Sequence, residues 1–291
     1  MVIINILING LVCGTTYALL AVGFSLVFGV AKILNMAHTG FYMIAGFLIF
    51  IAVKSFNLPL LPSAVLTVLV TGILGIISYK LCLDRIKEHQ TAVLIVSVGL
   101  VMLFQEVFLL IFGGDYKGIP PFIVGFVNVA DVKVTDQSFL IIIVSIASLI
   151  GLWVMLSKTD LGISIRAVAE DMEVANLMGI NVGRVSMIIV GISAVLAAIA
   201  GVVAAPIFMV HPLMWLHPLI IVLAAVILGG LGSVKGSLIA SFIMGYAETS
   251  VIYLVPKGAF LGGAVSLSVM VIILLIRPEG LFGIAFEEER L

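Results

Sequence analysis

Charge is what this sequence lacks most. Only 10% of its 291 residues are Asp, Glu, Lys or Arg, against about 25% in a soluble domain, so the chain cannot cover itself with a water-facing surface. It is also poor in cysteine. Cys13 and Cys82 have no close partner in sequence, so no disulfide framework or metal cluster is implied. Catalytic signatures are missing too. No H-E-x-x-H offers a zinc site and no G-x-S-x-G a nucleophile turn. The four histidines are scattered, and His211 and His217, flanking a short Pro-containing turn, read as interfacial side chains. Residues 229–237 have the glycines of a phosphate loop. Yet Val234 precedes Lys235 where glycine is required, and the segment joins two apolar runs rather than a strand and a helix. No nucleotide site, cofactor, metal or nucleic-acid partner is implied. Any ATP chemistry belongs to another chain.

What the sequence has is apolar length. Hydrophobic residues make up 63% of it, and runs such as 138–156 and 185–206 approach or exceed the roughly 20 residues that cross a bilayer core of about 30 Å. Alternating patterns with a turn every ten residues are absent, which argues against an outer-membrane barrel. The expected class is all-α: a polytopic helical membrane protein forming one transmembrane domain over 1–291. With Gly, Pro and charge as punctuation, nine spans are expected near 4–30, 38–53, 60–80, 91–112, 138–156, 185–206, 217–234, 237–254 and 262–276. The second and seventh are short and Gly-rich, so either could be re-entrant, and the count could be eight or ten. The first run lacks the basic start of a signal peptide and is too long for one, so it is expected to be a retained helix.

Lys and Arg positions set the orientation. Placing the loops around 81–90 and 157–184 in the cytoplasm puts ten of the fourteen basic residues inside. Lys54, Lys117, Lys133 and Lys257 are left outside. The N-terminus is then outside, and the tail with Arg277 and Arg290 inside. The 113–137 loop, carrying Asp115, Asp131, Asp136 and the Pro120–Pro121 pair, is external.

Polar residues inside apolar runs are the candidates for function. Glu106 and Glu248 each lie about six residues from the outer end of a span, roughly 9 Å deep at 1.5 Å per residue. They read either as helix-to-helix partners or as lining a translocation path. Two carboxylates at matched depth also suit a proton-coupled secondary transporter, the alternative reading. Asn35, His38, Thr39 and Gly40 form the densest polar group, where span one turns into span two, and Asn35, His38 and Gly40 are further path candidates. In the 157–184 loop, Ile165, Val168, Ala169, Met172, Ala175 and Leu177–Met178 recur at helical spacing, and Arg166, Glu170, Asp171 and Glu173 take much of the opposite face. The pattern predicts a short amphipathic helix over about 164–178, stopped near Gly179 and too polar to span. A parallel internal repeat is a further candidate, because 27–29 and 227–229 each end an apolar run before a polar turn, a glycine and a second helix.

Several of these segments together resemble one family, the branched-chain amino acid ABC transporter permeases of the Liv type, along nearly the whole chain. Asn35, Ala37 and His38 look like its N-x-A-H-G motif, with Thr39 where glycine is common. The stretch 159–181, with Gly162, Arg166, Glu170, Asp171 and Gly179, resembles its cytoplasmic loop. Residues 228–236, with Lys235 where proline is common, and 277–283 resemble its two C-terminal signatures. The resemblance implies a multi-pass permease of the cell inner membrane with no catalytic activity of its own. It would work with a second homologous permease, two cytoplasmic ATPase subunits and an external substrate-binding protein. It also implies that 157–184 holds the ATPase-coupling helix. Glu173, Ala175 and Gly179 are similar to the E-A-A-x3-G loop of importer permeases, and Arg166, Glu170, Asp171 and Met172 fall in the same contact.

Overall fold

In lipid every backbone N–H and C=O must be satisfied within the protein, which favours helices wherever an apolar run is long enough. The computed structural model describes residues 2–129, 132–256, 258–276 and 280–282. Arg277 to Glu279, Gly283, Arg290, Lys257 and Asp131, all invoked above, lie outside the described residues. The helices in chain order are α1 (Val2–Ala31), α2 (His38–Phe50), α3 (Leu60–Ser78), α4 (Gln90–Phe112), α5 (Asp136–Lys158), α6 (Asp160–Glu170), α7 (Met172–Leu177), α8 (Val182–Phe208), α9 (Leu216–Gly229), α10 (Val234–Leu254) and α11 (Gly262–Ile276). α2 and α3 run on through π-helical turns to Ser55 and Leu83.

Helices stand at all nine expected spans, but they are not equal. Among the described residues, seven are long and apolar enough to cross a membrane, whereas α9 and α11 are shorter. The 14 residues of α9 reach only about 21 Å at 1.5 Å per residue. It stops earlier than the expected 234 because Gly230, at φ 94°, turns the backbone into the left-handed region.

Two expectations need correction. The 113–137 loop is not wholly irregular, so the chain is not strictly all-α. Strands β1 (Phe126–Val129) and β2 (Val132–Thr135) form an antiparallel hairpin with Phe126 opposite Thr135 and Val129 opposite Val132. Four-residue strands are too short to register as a periodic signal. The amphipathic helix of 164–178 is also not continuous. Asp171 takes an extended conformation (φ −151°, ψ 114°), and its Oδ1 accepts from the amides of Glu173 at 2.8 Å and Val174 at 3.0 Å. An Asp side chain that captures two free amides starts a new helix, so α6 and α7 meet at a corner.

α1 is the hub. It packs most extensively against α10, then α8, α5 and α9. In its apolar window 83% of residues are buried, whereas in α4 only 11% are. Where no water drives burial, helices associate through close backbone approach. A Cβ added at Gly245 would lie 2.6 Å from the Gly14 amide nitrogen, and one at Gly201 2.4 Å from the Tyr42 carbonyl oxygen. These contacts fix α1 on α10 and α2 on α8.

Candidate functional site

The two carboxylates predicted to lie at matched depth have different surroundings. Glu248 on α10 is only 4% exposed. Its Oε2 accepts from the Tyr17 hydroxyl of α1 at 2.8 Å, and its Oε1 lies 3.0 Å from Nε2 of His217 on α9. His217 is half-exposed, yet it turns its ring inward onto the buried acid. Sequence reasoning missed both partners, which lie 231 and 31 residues away in the chain. A tyrosine in an apolar run was the only signal. The cluster borders a cavity of about 270 Å³ that Cys13, Tyr42, Met209, Met214 and Ile252 also line.

Glu106 instead sits on the exposed side of α4. The Gln105 side-chain amide donates to its Oε1 at 3.1 Å, and Gln105 in turn accepts from the Trp215 indole N–H at 2.8 Å. Among the described residues the two acids share no hydrogen-bond partner. The connection before α9 is held down nearby. Lys117 and Val210 exchange backbone hydrogen bonds at 2.8 and 2.9 Å, and the His211 ring packs edge-on against Tyr116 with centroids 4.6 Å apart. Burial lowers the His211 pKa, because an imidazolium there would be poorly solvated.

The polar group at 35–40 is a bracket between helices. Asn35 is buried and its Oδ1 accepts from the Ala37 amide at 3.1 Å, while the Met36 amide reaches Ser97 Oγ on α4 at 3.1 Å. His38 opens α2 and is 1% exposed. Its Nε2 lies 2.9 Å from the Leu20 carbonyl of α1, and its Nδ1 2.7 Å from Ser193 Oγ of α8. A carbonyl only accepts, so Nε2 carries the proton and Nδ1 accepts from the serine. A Cβ on Gly40 would fall 2.6 Å from Val101 of α4. None of Asn35, His38 and Gly40 borders the cavity beside Glu248.

The α6–α7 pair shows how a loop can present a rigid surface. Thr159 Oγ1 caps α6 by accepting from the Gly162 amide at 3.1 Å, and the Arg166 guanidinium donates back to the Leu156 carbonyl. Ile165, Val168 and Ala175 are buried and Met172 is half-buried, so this side faces the bundle. The opposite side exposes Arg166, Glu170, Asp171 and Glu173, together with apolar Val174, Leu177 and Met178. Leu177 is 85% and Met178 79% exposed. Gly179 follows at φ 87°, a conformation that disfavours a Cβ. Met172, counted with the coupling residues, is half-buried on the bundle side, whereas Leu177 and Met178, placed by spacing on the same apolar face, are exposed.

The last two signatures meet. The amides of Leu281 and Phe282 donate to the carbonyls of Leu228 and Gly229 at 2.7 and 3.2 Å, covering the free end of α9.

Comparison with known proteins places this arrangement. A family model described as "Branched-chain amino acid transport system / permease component" matches residues 6–276. The chain is 29% identical to the high-affinity branched-chain amino acid transport system permease protein BraD of Pseudomonas aeruginosa, over 95% of this chain and 94% of that one. It is 28% identical to the corresponding permease protein LivH of Escherichia coli K12, over 94% of each. It is 27% identical to a probable branched-chain amino acid transport permease protein of Methanocaldococcus jannaschii, over 97% and 93%. Among solved structures, PsaBC from Streptococcus pneumoniae in complex with Fab superposes with a TM-score of 0.55. At 15% identity, covering 94% of this chain and 92% of that one, it speaks for the fold alone. With its model spanning nearly the whole chain over a multi-pass helical bundle, the protein belongs to the permease-component family of branched-chain amino acid transport systems.

Proposed function

We propose that this chain is the membrane permease subunit of an ATP-binding-cassette importer in the cell inner membrane. It would provide the route for branched-chain or related amino acids delivered by an external binding protein, with hydrolysis on two cytoplasmic ATPase subunits. The observation that carries this reading is the α6–α7 pair. Val174, Leu177 and Met178 stand exposed beside Glu170, Asp171 and Glu173, on a base packed into the bundle. Membrane-surface helices are usually rich in Lys and Arg on their polar face, whereas this segment is net acidic. An apolar tip on a rigid mount suits a partner's pocket, and motion of that partner reaches the spans through packed contacts.

A second permease subunit supplies the other wall of the path, against α4. Of the outlying helices α3, α4 and α5, only α4 carries a charged side chain on its exposed face within the body of the helix, Glu106. An acid facing lipid there is costly, whereas one facing a wet seam between two proteins stays solvated. The basic residues set the N-terminus outside and α6–α7 inside. Reconstitution tests the assembly: the permease pair, ATPases and binding protein in vesicles should import leucine only with internal ATP. Import driven by a proton gradient with no ATPase present would overturn it.

A further inference from the structure

We infer that the cavity between α1, α9 and α10 is a binding site for the ammonium group of an amine-bearing solute, with Glu248 as its acceptor and the apolar wall taking an aliphatic tail. This rests on the permease reading and names what that permease would recognise for itself.

The acid is unusual in what surrounds it. A buried carboxylate is ordinarily paired with a cation or supplied with several donors. Among the described residues no Lys or Arg lines this cavity, and His217 is the cation-former beside Glu248. Glu248 receives one donor on each oxygen, from Tyr17 and His217, out of about four lone-pair sites. Acceptor capacity therefore remains, and beside it lies empty space of about 270 Å³. That volume sits just below the roughly 300–1,000 Å³ of drug-sized ligand sites, so it suits a smaller solute.

The rest of the wall sorts a ligand further. Met209, Leu213, Met214 and Ile252 present aliphatic and thioether surface, which favours an unbranched or branched hydrocarbon tail over a polar one. Tyr17 and His217 hold the acid from two helices, so the carboxylate is oriented before any ligand arrives. His217 is half-exposed while Glu248 is buried, so the imidazole stands at the mouth and the acid at the back. A primary ammonium has three donors, enough to engage Glu248 and still meet the Tyr17 oxygen. A carboxylate-bearing solute without an amine would meet the acid with like charge and be refused. Gly262 supports the back wall, since a Cβ there would lie 2.8 Å from Glu248 Oε1.

The test uses the full-length protein in lipid nanodiscs, with two probes of matched tail: 3-methylbutylammonium and 4-methylpentanoate. The ammonium should raise the unfolding temperature saturably and the acid should not. Glu248→Gln should weaken the ammonium response at least tenfold, and Tyr17→Phe, which keeps the ring, should weaken it less. Because Glu248→Gln could fail to fold, a second measurement uses the unaltered protein. Modification of Glu248 by a hydrophobic carbodiimide, read by mass spectrometry, should be slowed by 3-methylbutylammonium and not by 4-methylpentanoate. Equal stabilisation by both probes, a full response in Glu248→Gln, or labelling indifferent to the amine would each overturn the site. ATP-driven leucine import, measured in parallel, separates the two levels. Import without amine-selective binding removes only this site, and amine-selective binding without ATP-driven import counts only against the importer reading.

Discussion

His38 has both ring nitrogens engaged, one on α1 and one on α8, while its own backbone starts α2. A side chain so committed holds three helices in register and has no nitrogen left for a passing solute. Buried polar contacts in membranes average about 0.6 kcal/mol and reach about 1.7, so the bond to Ser193 should be worth an amount in that range. Ser193→Ala should lower the apparent unfolding temperature in detergent, and His38→Ala should lower it more, since it also removes the contact to Leu20. The double variant should be no worse than His38→Ala alone, because the serine then has nothing to donate to. Strictly additive losses would mean that the two side chains act independently. A polar group near 35–40 was legible in the sequence as the densest of its kind. Its role was not, since Ser193 stands 155 residues away from His38 and long-range partners leave no local periodicity.

At the scale of elements, α6 and α7 were half legible. Ile165, Val168 and Ala175, on the predicted apolar face, are buried, whereas Leu177 and Met178, placed on the same face, stand exposed past the corner at Asp171. The corner at Asp171 escaped because an Asp within a periodic run reads equally as a polar-face residue or as a cap, and only the backbone decides. The corner gives each half its own task. Asp171→Ala should destabilise α7 by about 1 kcal/mol, the usual value of an N-cap. Gly179→Val should cost a further 1–2 kcal/mol or so, because a β-branched residue must enter the left-handed region. Leu177→Asp touches neither cap nor core and should leave the fold intact. At a docking contact, losing such an anchor costs about 2 kcal/mol or more, roughly thirtyfold in affinity. Pull-down of ATPase subunits with purified Leu177→Asp should therefore fail while its unfolding temperature stays unchanged. Recovery of ATPase at the level of the unaltered protein would remove α6–α7 from the coupling role. Glu173→Lys should weaken the same capture without changing the amount of protein in the membrane.

For the molecule as a whole, the places of the apolar helices followed from hydropathy, although among the described residues only seven have the length that a bilayer demands. Burial did not follow. Mean composition barely distinguishes α1 from α4, yet one is the hub and the other an outlier, since the choice depends on which glycines meet across helices. That difference carries a prediction about the surroundings of the bundle. The exposed residues of α3 (Leu61, Val65, Leu69, Ile73) and of α5 (Ile143, Ile146, Ile150) are apolar, as lipid requires. On α4, exposed Ile95, Gly99, Leu103, Glu106 and Leu110 fall three to four residues apart on one stripe. A glycine whose added Cβ would meet nothing and an acid on one stripe suit a facing protein and water better than acyl chains. Cysteines at Leu103 and Leu110 should therefore react with a water-soluble thiol reagent in the assembled transporter and crosslink to the second permease. Cysteines at Leu69 and Ile146 should do neither. If Glu106 lines the path, Glu106→Gln should lower import while leaving assembly intact, because it removes a charge and no contact from the core. If the α3 and α5 positions crosslink and the α4 stripe reacts only with lipid-soluble reagents, the seam lies on the other side of the bundle and Glu106 has no part in transport.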